Sequence, residues 1–286
     1  MKNTIIAVVA LIGLQFTTAT AQTDSTKTKF TAHNKGKFFV SWGGNRGYFT
    51  DSDLHFKGDG YDFTVENAKS HDLPKGWNID YVTPGGLTSS QTNVKMGYFI
   101  KDKYLVSLGI DHMKYVMTQD QTANVNGTIN LPLAEAGSAF NGTYNNTPVN
   151  FTDGKFLKFE HTNGLNYINT EIARFDDISS FFGIKNTDIF QLNLTEGLGL
   201  GMLVPRTDAT VLGKPRHDEF HISGYGFSAN AGLNFTFFKY FYMQTELKGG
   251  YINMTDVKTT YSSADHAEHD FWYGQTIISF GGIFRI

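Results

Sequence analysis

The chain has 286 residues, 24 basic and 27 acidic side chains and no cysteine. Near-neutral charge without a basic block excludes the electrostatic footprint of nucleic-acid binding, and the lack of cysteine excludes disulfides and thiolate zinc sites as sources of stability. With 25 Phe, 14 Tyr and 30 Gly against 6 Pro, the composition favours strands, so burial and strand pairing must hold the fold.

At the start of the chain, Lys2 precedes an apolar run from Ile5 to Leu14, followed by Ala19-Thr20-Ala21. This is the order of a secretory signal peptide, and an apolar core of about ten residues is too short for the roughly 20 that a spanning helix needs. Residues 1–21 are expected to be a signal peptide, residues 22–36 an N-terminal periplasmic segment, and residues 37–286 the folded body. Every later apolar stretch is broken by polar or glycine residues, which leaves a periplasmic, secreted or outer-membrane destination.

The body alternates. Phe38, Val40 and Trp42 mark a first strand; Val94, Met96, Tyr98 and Ile100 a second; Tyr104, Val106, Leu108 and Ile110 a third. A fourth is expected around Leu165 to Phe175. Leu192, Leu194, Leu198, Leu200 and Met202 alternate with Asn193, Thr195, Gly197, Gly199 and Gly201 in a fifth. Tyr225 to Phe237 repeats the pattern, Phe241 to Tyr251 follows, and the last strand carries Ile278, Phe280, Phe284 and Ile286 opposite Gln275, Ser279 and Arg285. Short connections at Lys101–Lys103, Asp176–Asp188 and Phe238–Lys239 alternate with long ones.

Strict alternation of short and long connections predicts an all-β fold: an antiparallel up-and-down transmembrane β-barrel of about eight strands with long external loops. Ten strands would require a hairpin from Asp53 to Glu66 to join the wall, and that hairpin is placed in the first loop. The expected location is the outer membrane of a Gram-negative bacterium, with outer-membrane lipid and lipopolysaccharide, the barrel-assembly machinery and an extracellular ligand as partners. A secreted soluble β-barrel is the alternative architecture. Lys95, Glu246 and Lys248 share the inward parity, which predicts an ion-pair network plugging a narrow lumen rather than a porin-like channel. Glu196 falls in the lipid-facing series, and a bulge or register shift that turns it inward is the expected resolution.

On this pattern the chain resembles the small eight-stranded outer-membrane barrels, the group that includes the OmpA transmembrane domain, OmpW and the lipid A deacylase PagL. The segment Phe159-Glu160-His161-Thr162-Asn163-Gly164 is similar to the His-x-Ser-Asn stretch of the PagL-type enzymes. That resemblance implies a lipid A ester hydrolase with His161 as the activating base. Asn163, however, stands where the nucleophile belongs and cannot attack an ester. The leading expectation is therefore a non-enzymatic barrel that is structural or binds through its loops, with no cofactor.

The histidines concentrate at one end. His55, His71, His217, His221, His266 and His269 are assigned to external loops, His112 and His161 to the outer halves of strands, and His33 to the periplasmic end. Acidic neighbours make His217, His221, His266 and His269 candidate metal ligands, although the His-Glu-x-x-His spacing is absent. The plainer expectation is solvated loop side chains. In the first loop, Asp53, His55, Asp59 and Asp62 form a candidate ligand site, and Glu196 is a further candidate if it meets a ligand.

Overall fold

A computed structural model describes residues 33–76, 90–217 and 219–285. The expected signal peptide lies outside the described residues. Sixteen strands follow in chain order: β1 (Phe38–Phe49), β2 (Ser52–Gly58), β3 (Tyr61–Ala68), β4 (Ser70–Asp72), β5 (Thr92–Lys101), β6 (Tyr104–Met113), β7 (Tyr115–Met117) and β8 (Thr122–Ile129); then β9 (Gly142–Asn150), β10 (Leu157–Glu160), β11 (Leu165–Asp177), β12 (Phe190–Leu203), β13 (Asp208–Val211), β14 (Gly224–Phe237), β15 (Phe241–Lys258) and β16 (His266–Phe284).

Eight of these form a closed antiparallel ring in the order β1-β5-β6-β11-β12-β14-β15-β16, and β16 returns to β1. The closing pair runs in unbroken register from Phe38–Phe284 to Phe49–Tyr273. Closure removes both sheet edges, which is what allows a sheet to cross lipid. The transmembrane β-barrel of eight strands expected from the alternation is therefore present, and the candidate ninth and tenth strands are the β2–β3 hairpin outside the ring.

The wall sorts side chains by parity. Leu198 and Leu200 of β12 are about 70% exposed on the outside, whereas Asn193 and Thr195 are buried inside. Gly199 shows why glycines line the interior: a Cβ there would lie 2.9 Å from Glu171 Cγ and 2.7 Å from Ser228 Oγ. At the short-turn end, Phe238 (φ 52°) and Lys239 (φ 70°) reverse the chain between β14 and β15 with the positive dihedrals that tight hairpins require.

Glu196 corrects the expectation of a bulge. The β11–β12 and β12–β14 registers are continuous through Arg174–Glu196 and Glu196–Ala231, so the carboxylate stays on the outer face and is exposed. Its cross-strand neighbour Arg174, itself bonded to Asp176 at 2.5 Å, supplies the compensating charge there.

The long connections are not solvated loops. The upper end of β16 leaves the ring and pairs with β2, extending the wall into β2-β3-β8-β9, while β4, β7, β10 and β13 form a second, four-stranded sheet. Together with the ring's upper rim they enclose one apolar core, which includes Leu54, Phe56, Phe63, Tyr115, Leu157, Phe159, Tyr167 and Phe271. Phe56 meets Phe159 edge-on at 5.3 Å and stacks on Phe63 at 5.4 Å. Aromatic pairs of this geometry add to what area burial contributes. We call this two-sheet cap the hood.

Candidate functional site

Three layers occupy the axis of the molecule. At the short-turn end, Phe39, Phe99, Leu105, Phe175, Tyr242 and Ile283 close the lumen with an apolar floor. Above it lies the charged layer. Lys95 Nζ bonds Glu171 Oε2 at 2.6 Å and approaches Glu246 Oε2 at 3.4 Å. Lys248 Nζ bonds Glu171 Oε1 at 2.6 Å and Asp111 Oδ2 at 2.5 Å. Asn93 and Asn169 donate to the two oxygens of Asp111 at 2.6 and 3.1 Å, and Gln244 donates to Glu246 at 2.8 Å.

The expected inward residues Lys95, Glu246 and Lys248 all belong to this layer. Asp111 and Glu171 were missed, although their parity in β6 and β11 matches the same inward series. Low dielectric inside the wall strengthens such pairs where charges meet, and here two ammonium groups serve three carboxylates, with Glu171 linking both. A cavity of about 50 Å³ lies beside Lys95, Glu246, Thr195 and Asn230. Glu246 Oε1, Thr195 Oγ1 and Asn230 Nδ2 have no hydrogen-bond partner among the described residues, and the space beside them is large enough for water to hydrate them.

The third layer is the hood, and His161 sits in its core rather than on a barrel strand, which corrects its expected position. It follows β10, its amide donating to Tyr115 O at 2.7 Å, and its side chain is wholly buried. Nδ1 lies 2.9 Å from Thr207 Oγ1, and Nε2 lies 3.2 Å from Nε2 of His269. Phe159, Tyr115 and Phe271 pack around the two rings. Burial pushes the His161 imidazole well below its ordinary value of 6.5, and His269 beside it adds to the effect. Burial alone takes His269 down to about 3.

The arrangement does not assemble the hydrolytic triad that the PagL resemblance implies. Glu171, the carboxylate ten residues after His161, is engaged with two lysines inside the barrel, and the hydroxyl that meets His161 is that of buried Thr207.

Among the candidate metal ligands, His269 is buried with His161 instead of lying in a solvated loop. His217 pairs with Glu219 at 3.0 Å and His221 with Asp256 at 2.7 Å, in separate exposed contacts. His266 stands on β16 with Nε2 3.8 Å from Glu268 Oε1. Among the described residues no group of three or more His, Asp or Glu side chains could hold a metal ion.

The first-loop candidates divide. Asp53 accepts from the Asn67 amide at 2.7 Å and so fixes the β2–β3 hairpin, and the Asp59 amide donates to Asp265 at 3.3 Å in the turn. His55 and Asp62 do meet, at 2.8 Å. Glu196 lies on the outer wall of the ring, on a different element from these four.

No family model and no curated protein matches the chain. Among solved structures it is similar to Ail, the attachment invasion locus protein of Yersinia pestis, at 13% identity over 87% of this chain and 99% of that chain, with a TM-score of 0.31. It is similar to the outer membrane protein OprG from Pseudomonas aeruginosa at 11% identity over 89% and 98%, with a TM-score of 0.39. Neisserial surface protein A gives 8% identity over 87% and 97%, with a TM-score of 0.34. At this level the likeness carries no argument about this chain, whose barrel rests on its own closed strand register.

Proposed function

We propose that the protein is a sealed outer-membrane barrel that displays its hood at the cell surface as a contact site for a ligand or partner. The observation that carries this reading is the stacking of three closed layers on one axis: apolar floor, ion-paired middle and packed hood. An eight-stranded ring has an interior just wide enough for side chains, and here they occupy it apart from the small cavity beside Lys95 and Glu246. A lumen filled in this way supports an anchor rather than a conduit. The exterior belt of Leu, Ile, Phe and Met fits contact with outer-membrane lipid after insertion by the barrel-assembly machinery.

The hood is the part available to a partner. Its strands are ordered by their own apolar core, so a binding face on them is presented without ordering a loop at the moment of contact. The test has two arms. Trypsin added to intact cells should cut the hood at exposed sites such as Lys155 while sparing the ring, and the purified chain in planar bilayers should give no stepwise current. Recovery as a detergent-free soluble monomer, or channel-like conductance, would overturn the reading.

A further inference from the structure

The short-turn end of the ring is divided into two unlike halves. In the order of the wall, the ends of β16 and β1 lie next to the β5–β6 turn, and the β11–β12 turn lies next to the β14–β15 turn. The first half is charged. Its turn is Lys101, Asp102 and Lys103, the Lys35 amide donates to Asp102 Oδ1 at 3.0 Å, and Arg285 donates to the Lys35 carbonyl at 3.1 Å.

The second half is apolar. Phe181 and Phe182 of the β11–β12 turn are 84% and 65% exposed, and Ile189, Phe238 and Tyr240 are exposed beside them. These side chains lie in turns, so the alternation of the wall does not account for their exposure. Local bonds hold them out. Ser179–Phe182 form a single 3-10 turn, closed by Gly183 at φ 69° donating to Ser180 O at 3.2 Å, and Ser179 Oγ accepts from the Leu192 amide at 2.9 Å. The two turns are also tied to each other. The Phe238 amide donates to Ile189 O at 2.9 Å, and Lys239 Nζ meets Asp188 Oδ2 at 3.0 Å, which cancels the charge between them. On the outer wall next to these turns, Phe237 pairs in register with Phe190 and Phe241, its ring 5.3 and 6.5 Å from theirs. The apolar turns therefore continue the lipid-facing belt without a break.

We propose that the β11–β12 and β14–β15 turns form a membrane foot that enters the headgroup layer of the phospholipid leaflet on the short-turn side, while the β5–β6 turn and the chain ends stand in water, so that the ring sits askew. The inference rests on the membrane reading above. Aromatic side chains favour the boundary between headgroups and acyl chains, where the ring leaves water and a hydroxyl such as that of Tyr240 stays hydrated. Lys185, exposed on the same turn, has a stem long enough to carry its ammonium to the lipid phosphates. The β5–β6 turn offers that layer no apolar side chain.

The chain has no cysteine, so single nitroxide labels can be placed through Phe182→Cys, Phe238→Cys, Lys101→Cys and, on the belt of β12, Leu200→Cys. The full chain is folded into phosphatidylethanolamine–phosphatidylglycerol vesicles, and the collisions of each label with oxygen, which concentrates in lipid, and with a water-soluble nickel chelate are read by electron paramagnetic resonance. The labels at 182 and 238 should favour oxygen severalfold more than the label at 101. Equal ratios at all three rim positions would overturn the proposal. So would labels at 182 and 238 shielded from both reagents, which would place a protein surface over the patch. The label at 200 separates the two readings. If it favours oxygen while 182 and 238 favour the chelate, the foot is lost and the membrane reading stands; if it too favours the chelate, the membrane reading fails and the foot with it.

Discussion

His161 and His269 face each other nitrogen to nitrogen, 3.2 Å apart, in a fully buried pocket of aromatic rings. One Nε2 donates and the other accepts, so both rings are neutral and a single proton joins them. His269 Nδ1 has no partner among the described residues. A second proton has no acceptor in this pocket, and that makes the hood sensitive to acid.

The unfolded hood binds protons at ordinary histidine values, whereas the folded one resists them well below 6.5 at His161. Stability is therefore intact above about pH 6.5 and falls as pH drops toward the folded value, by at most about 1.4 kcal/mol per unit for each histidine. Hydrogen exchange of β7 and β10, compared at pH 7.5 and 5, should show faster opening in acid. His161→Gln should flatten that dependence. An equal pH response in the variant would mean that other groups control the hood.

The charged layer of the lumen predicts an asymmetry. Lys248→Met leaves Glu171 and Asp111 buried with their shared ammonium gone, and breaking a buried pair in this way costs about 3–5 kcal/mol. Neutralising the two stranded carboxylates with Glu171→Gln and Asp111→Asn in the same chain should recover much of the loss. Urea unfolding in lipid vesicles reads both. Equal destabilisation by the single and triple variants would show that Lys248 acts through packing and not charge.

The barrel was legible in the sequence because period-two alternation survives in every long strand of the ring, with inward glycines in all of them but β11. β12 is the clearest case, with Gly197, Gly199 and Gly201 on the inner parity. Of the hood only the hairpin between Asp53 and Glu66 was legible, present as β2 and β3; the second sheet was not, because β4 and β7 have three residues each and β10 and β13 four, too few to show a period. His269 illustrates the cost. It continues the inward series Ala267, Phe271 and Tyr273, yet its polarity and its acidic neighbours read as a loop. Glu196 failed in the other direction: its parity was right, and what the sequence concealed was the cross-strand Arg174 that makes an outward carboxylate tolerable. The meeting of His55 with Glu268 depends on the β2–β16 pairing across about 200 residues of chain, which no local pattern announces.

Gly199 offers a test of how tightly the lumen is filled. An added methyl would lie 2.7 Å from Ser228 Oγ and 2.9 Å from Glu171 Cγ, displacing the carboxylate that joins both lysines. Gly199→Ala should cost about 1–3 kcal/mol by overpacking. At Gly249 the nearest atom to a new Cβ is Tyr273 O at 3.6 Å, an ordinary contact, so Gly249→Ala should be close to neutral. Equal unfolding midpoints for the two variants would mean that the interior gives way more easily than its geometry implies.

The wall itself can be tested by comparing two leucines that water alone would not distinguish. Leu200 on β12 is 71% exposed and Leu133 in the hood is 90% exposed. If the outside of the ring met water, arginine at either position would change stability by no more than about 0.5 kcal/mol. If it meets lipid, Leu200→Arg should cost up to about 2–4 kcal/mol and lower the yield of assembled, heat-modifiable protein. Leu133→Arg should do neither, because the hood stands clear of the belt. Folding both variants into vesicles and comparing their urea midpoints separates the cases. A neutral Leu200→Arg would favour the soluble-barrel alternative, and a penalty confined to Leu200 ties the alternation in β12 directly to the bilayer.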